Sequence, residues 1–371
     1  MKILKYVALV LILLNVPTFS LEYLGAGIGS ITNLLLTVVV VIYFFIAKKS
    51  KPLWPFIVLG LCFFTFSGLQ YTGITELFIK EAIRYFIFII CINEITKATT
   101  DKELLIFLVI GALSIAVNAL VFPDIFGRYG GFYLNPNKAG FICLFGFALS
   151  YIIPNYKLKL LIQFVLILCG IFTLSRSFIM FLVIINVVSV FANKKNIQTF
   201  AVGAVALIII FAAASALQLN KARFSALHSL FGNTEEVETQ TITEGSRNET
   251  WAYFSDLITN NVVTGAGYKS MRGESSLVAI EYGVHNTFLM VLGEAGILAF
   301  LLIVIIYLAI TIRSLRYFRI HQEYTYLAIA LIGYLMVAHN FFEKYDVLFI
   351  SVWLYNKVHQ ELPVKAEIKA N

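Results

Sequence analysis

His285-Asn286 stands where a long polar stretch of the chain gives way to an apolar one. A histidine at the start of a helix feels the positive end of the helix dipole. That favours neutral imidazole, and so a general base that works near neutral pH. Basic residues at the edges of other apolar stretches supply the second ingredient. Arg84 lies about two turns inside one such stretch, Arg128 and Lys138 fall in the run Gly127-Arg128-Tyr129 to Asn137-Lys138, Arg176 is in Ser175-Arg176-Ser177, and Arg247 is in the polar stretch before His285. Lys80 and Lys138 read as snorkelling side chains. Arg84 and Arg176, within or against apolar segments, require a partner in the protein or in a ligand. Guanidinium forks bind phosphate bidentately, and several around one outward cavity would suit a pyrophosphate. Asn286 and Asn137, beside His285 and Lys138, complete the expected substrate-binding set.

Further along, His339-Asn340 repeats the His-Asn pair but lacks a polar loop before it, so it ranks as a secondary rival to His285. Continuing a helix from His285 brings Gly296 back to the same face eleven residues on, since eleven steps of 100° return to within about 20°. With Gly293 it forms a small-x-x-small surface on which another helix could pack closely. Glu294 falls on the far side, about 13 Å deeper. A carboxylate at that depth calls for a cation in the bundle or a polar cavity. No D-x-D, H-E-x-x-H or Cys/His cluster occurs, and Cys62, Cys91, Cys143 and Cys169 each lie inside apolar blocks, so neither a metal nor a cofactor is expected.

The elements that must position these groups follow from composition. Of 371 residues, 60% are hydrophobic and only 13% charged, against about a quarter charged in a soluble domain, and mean hydropathy is +0.86. The apolar residues come in blocks of about 15 to 25 without the alternation of a membrane β-barrel. An all-α, polytopic membrane protein with about twelve transmembrane helices is expected. The predicted spans are 3–19, 30–47, 53–70, 78–96, 104–122, 139–153, 160–174, 178–192, 197–217, 286–310, 323–341 and 345–358. The net charge of +7 is scattered at span edges, which is the pattern of topology and not of a nucleic-acid face. Lys48, Lys49, Lys51, Lys97, Lys102, Lys157, Lys194, Arg313, Arg316 and others fall on one side. The positive-inside rule then puts both termini in the cytoplasm. The chain divides into spans one to nine (1–217), a large periplasmic loop (218–284), and the last three spans with a cytoplasmic tail (285–371). Residues 233–244, rich in Thr and Glu, read as disordered. Ser246 to Glu249 fits a capping box opening an amphipathic helix that puts Arg247, Trp251, Phe254 and Ile258 on one face at the membrane surface. Thr264 to Tyr268 reads as a tight turn, weak as a phosphate loop.

In this order the motifs resemble the bacterial O-antigen ligase and polymerase superfamily, the Wzy-C type of membrane glycosyltransferase, over nearly the whole chain. The resemblance rests on the span pattern with one large outer loop before the tenth span, Asn135-Pro136-Asn137, Thr173-Leu174-Ser175-Arg176, Arg247 with Trp251, Gly265-Ala266-Gly267, and His285-Asn286 followed by Gly296. Ala299 stands where the ligase pattern has Gly, Thr or Tyr, and Trp251 where it has leucine. The resemblance implies a polytopic inner-membrane protein with a GT-C-like outline, a metal-independent transferase that takes a glycan from undecaprenyl pyrophosphate to a sugar hydroxyl at the periplasmic face. His285 would then be the base, and Arg247 and Arg176 would meet the departing pyrophosphate. The acceptor expected is a lipid A-core sugar, as in lipopolysaccharide assembly by an O-antigen ligase. The alternative is another lipid-linked repeat unit, as for an O-antigen or capsule polymerase. A transporter or flippase for a lipid-linked sugar is the third reading, and it needs no base.

Overall fold

The computed structural model describes residues 1–123, 127–213, 247–273 and 283–359, and the side chains of 207, 210–213 and 247–250 lie outside that description. Every regular element among the described residues is helical: α1 (Lys2–Leu13), α2 (Val16–Leu24), α3 (Ala26–Ile46), α4 (Trp54–Leu69), α5 (Thr75–Ala98), α6 (Asp101–Val121), α7 (Pro136–Leu149), α8 (Tyr156–Phe172), α9 (Arg176–Ala192), α10 (Gln198–Ala213), α11 (Arg247–Asn260), α12 (Thr287–Arg316), α13 (Gln322–Leu335) and α14 (Tyr345–His359), with short 3-10 turns between some of them. The expected disordered run 233–244, and most of the expected loop around it, lie outside the described residues.

Helix starts follow local chemistry. Thr100 and Glu103 form a reciprocal capping box at α6. Asn135, Asn155, Ser175 and Asn286 each accept backbone N–H groups at the first turns of α7, α8, α9 and α12, satisfying donors that a helix N-terminus otherwise leaves open. Apolar all round, α7 is buried from Lys138 to Leu149 and packs against α6, α8, α9 and α13. By contrast, α3 leaves Ile31, Leu34 and Phe45 more than 60% exposed, an apolar outer surface suited to lipid and not to water. Among the described residues three helices, α3, α6 and α12, are long and apolar enough to cross a membrane, and the bent pair α1–α2 makes a fourth if taken as one span.

Three expectations are corrected. The first predicted span is not one straight helix: it breaks at Asn15, which has φ 52°, and α1 and α2 meet at 59°. Lys138 does not snorkel; it is buried, with Nζ 2.9 Å from the Asp346 carboxylate. Nor does Gly296 present a small face to a passing helix. It breaks α12, with φ 78° and ψ −174°, conformational space that glycine enters without penalty.

That break is filled by the Gly265-Ala266-Gly267 turn. The carbonyls of Gly293 and Glu294, freed from the helix ladder, accept N–H bonds from Ala266 (2.7 Å) and Gly267 (3.2 Å), and the Ile297 N–H donates to Val262 O (2.8 Å). A methyl group on Gly265 would strike the Glu294 backbone, and one on Gly296 the Val263 carbonyl. Gly293 packs on the Met271 side chain. Non-helical backbone inside an apolar bundle survives only where protein groups satisfy it in this way.

The connections gather at two ends of the bundle. At one end, Lys5 pairs with Glu103, Lys357 with Asp101, and Asn93 and Glu94 hold Ser50. At the other are the Asn15 break, the 128–138 segment, the 262–273 turn and the residues around His285 and His339.

Candidate functional site

His285 is held from behind by the loop and by α11. Val284 N–H donates to Met271 O (2.9 Å), and the Trp251 indole of α11 donates to Val284 O (2.9 Å). Phe254, on the same face of α11, is fully buried, while Tyr253 is exposed, the amphipathic division read from the sequence. His285 itself has φ 47°, left-handed backbone that is uncommon outside glycine and is found where a site over-determines it. Asn286 follows as N-cap: its Oδ1 accepts from Phe288 and Leu289 N–H. Its amide oxygen therefore aims the helix start that presents the histidine.

The expected rival turns out to be a neighbour. His339 Nδ1 lies 3.1 Å from His285 Nδ1, with the rings edge-to-face at 4.7 Å. Thr287 Oγ1 donates to Ala338 O (2.7 Å), which ties the two segments together. A Cβ on Gly283 would come within 2.8 Å of the His339 ring, so glycine there makes room for it. Burial, with the nearby His285 and Arg272 charges adding to it, pushes the His339 imidazole down to about 4, because desolvation and like charge both disfavour imidazolium. In an Nδ1–Nδ1 contact one ring must donate and the other accept. A neutral His339 can be the acceptor, which leaves His285 with its Nε2 as the basic nitrogen.

Beneath the pair is an ion network that sequence reading located only by half. Glu294 has its cation: Arg272 embraces it side-on, Nε to Oε1 at 2.8 Å and Nη2 to Oε2 at 3.0 Å, and also contacts Glu343. The guanidinium lies over the Tyr268 ring at 4.8 Å, and the Tyr268 hydroxyl bonds Glu81 and Glu343. Arg272 holds the Glu343 carboxyl below its usual range against the effect of burial. Arg272 was not among the expected residues. The available signal was the buried carboxylate itself, whose need for a cation pointed to an arginine in the loop.

The expected cations do not converge on one cavity. Arg128 donates from Nε to Thr173 O (3.2 Å) and from Nη2 to Asn137 Oδ1 (3.1 Å). Asn137 thus orients Arg128, and both lie beside the α8–α9 turn, where Arg176 opens α9 with an exposed side chain. Arg84 instead lines a cavity of about 600 Å³ whose described walls include neither Arg128 nor Arg176. Arg247 is the first residue of α11; its side chain lies outside the description. Among the described residues, no group of three His, Cys, Asp or Glu side chains is placed to hold a metal ion.

A search among curated proteins returned no match to the chain. Residues 161–304, from early α8 through the break in α12, match the family described as O-antigen ligase, Wzy_C. This stretch holds Arg176, the first turn of α11, the clip of Gly265 to Gly267, Arg272 and His285, and over it the chain is similar to the O-antigen ligase family, which supports the O-antigen ligase/polymerase superfamily.

Proposed function

We propose that the protein is a membrane glycosyltransferase of the O-antigen ligase kind, acting at the periplasmic face of a bacterial inner membrane. Its donor is a glycan on undecaprenyl pyrophosphate. His285 Nε2 takes the proton of an acceptor sugar hydroxyl as that oxygen attacks the anomeric carbon. The bond from that carbon to the pyrophosphate oxygen breaks, and the departing charge is met by Arg176, Arg128 and Arg247. Arginines supply the charge without a metal, and their forks match phosphate oxygens. The observation that carries this reading is His285, at the start of α12 and within the matched segment, with His339 Nδ1 3.1 Å from its own Nδ1. A transporter would need no such base.

The acceptor in the first reading is a lipid A-core sugar hydroxyl. A repeat-unit polymerase, with a second lipid-linked glycan as acceptor, uses the same base and leaving group; the separate basic cavity around Arg84 favours it specifically, because two lipid phosphates need two sites.

The test is glycan transfer per inserted protein, with purified enzyme, lipid-linked donor and a chelator present. His285→Ala should lose about 10² to 10⁴ in rate with normal insertion, and Arg176→Ala and Arg247→Ala should also be strongly impaired. Full specific activity in His285→Ala removes the mechanism. Dependence on added metal contradicts the arginine reading.

A further inference from the structure

The cavity around Arg84 is bounded by the α1–α2 break, the first turns of α3, the outer half of α5 and the 342–345 segment. Three cations reach it from two elements, Lys80 and Arg84 of α5 and Lys344 after the turn, and two carboxylates, Glu81 and Glu343, also line it. The carboxylates are engaged elsewhere. Glu81 takes the Tyr268 hydroxyl and lies 3.8 Å from Lys269, and Glu343 takes Arg272 and Tyr268. None of the three cations makes an ion pair or hydrogen bond with any other described residue. Arg84 and Lys344 are half-buried, and an uncompensated charge inside an apolar bundle is costly unless a ligand meets it. The opposite wall adds neutral donors, Asn15, Ser30, Asn33 and Thr37. Leu34, in the cavity wall, also belongs with Ile31 to the exposed apolar surface of α3, so the cavity adjoins a lipid-facing helix side.

We propose that this cavity binds the phosphate or pyrophosphate headgroup of an anionic lipid, with Arg84 and Lys344 as the principal anion ligands and the lipid chain leaving past Leu34 along the exposed apolar face of α3. The volume exceeds what a pyrophosphate alone fills, leaving space for an attached sugar beside Asn33 and Thr37. The site is distinct from the Arg128–Arg176 group. That the lipid is one of the reaction's two substrates rests on the transfer reading above; that the cavity takes an anionic headgroup does not.

Native mass spectrometry of the purified full-length protein, titrated separately with undecaprenyl pyrophosphate, phosphatidylglycerol and uncharged undecaprenol, tests this. Wild type should bind undecaprenyl pyrophosphate, and Arg84→Gln, Lys344→Gln and the double variant should lose one bound lipid. The affinity for that lipid should fall about tenfold or more, as expected on removal of a charge-assisted contact. His285→Ala should abolish transfer without changing the count, so failure of the catalytic reading is separable from failure of this one. Equal, variant-sensitive binding of phosphatidylglycerol supports the site with a bilayer lipid as occupant; selectivity for undecaprenyl pyrophosphate supports it with a lipid-linked substrate. Unchanged counts and affinities in both single variants, or undecaprenol binding as tightly as its pyrophosphate, overturns the proposal.

Discussion

In the proposed mechanism the His285–His339 contact gives His339 a role: it accepts from His285 Nδ1–H, which leaves Nε2 for the acceptor and keeps the imidazolium formed in transfer oriented. His339→Ala should therefore lower transfer about tenfold to a hundredfold, as loss of a residue that orients a reactive imidazole does, and shift the pH profile of kcat/KM. His339→Asn, whose carbonyl can still accept, should recover part of both; a wild-type profile in His339→Ala would reduce its role to packing. The same residue sets a stability window. Its ordinary value of 6.5 is depressed to about 4 in the fold. Stability is therefore full above pH 6.5 and falls as pH drops from there through about 4. The melting temperature of the purified protein should drop across that interval, and less so in His339→Gln. His285 was legible from its place between polar and apolar chain. Its partner was visible only as a second His-Asn pair, because 54 residues separate them and only the return of α13 brings them together.

At the scale of elements, the ion pair beside the break in α12 carries the sharpest consequence. Arg272 and Glu294 are both buried, so Arg272→Ala strands a carboxylate in the bundle and should cost about 3–5 kcal/mol. Arg272→Lys keeps the charge but not the two-pronged contact and should recover little. The double change Arg272→Met with Glu294→Leu should be far less damaging than Arg272→Ala. Denaturant or thermal unfolding in detergent distinguishes these cases, and strict additivity of the two single changes would mean the pair is not coupled. Helices were readable because their apolar blocks are long and their caps, such as Thr100 with Glu103, are written locally. The break at Gly296 was not. Apolar residues continue on both sides of it, and what permits it is a turn some thirty residues earlier that donates to the freed carbonyls.

For the whole molecule, the charge asymmetry argues for an orientation. The end of the bundle where Lys5, Ser50, Asp101 and Lys357 meet their partners carries the lysine-rich connections, so it should be cytoplasmic, and the histidine end periplasmic. Reporter fusions at Asn233 and after Lys357 should report periplasm and cytoplasm respectively. A cytoplasmic Asn233 would remove the site from the side on which the lipid-linked donor is expected. Composition made the helical, lipid-facing character legible. The division of the cations between two places was not, since sequence spacing says nothing about which span edges become neighbours.

The clip at Gly296 also bears on biogenesis. As it leaves the ribosome, α12 is a 30-residue segment with nothing in its own sequence to satisfy the carbonyls of Gly293 and Glu294 once bent. The donors are Ala266 and Gly267, and Gly267 in turn lies against Gln70 at the end of α4, where a Cβ would come within 2.7 Å of the Gln70 carbonyl. Three segments made at different times must therefore meet before the bend can close, and Met271, which fixes Val284 beside His285, belongs to the same turn. Assembly of the histidine site thus waits on that closure, and under the proposed mechanism an unfinished chain should lack the base while it is still being threaded into the membrane.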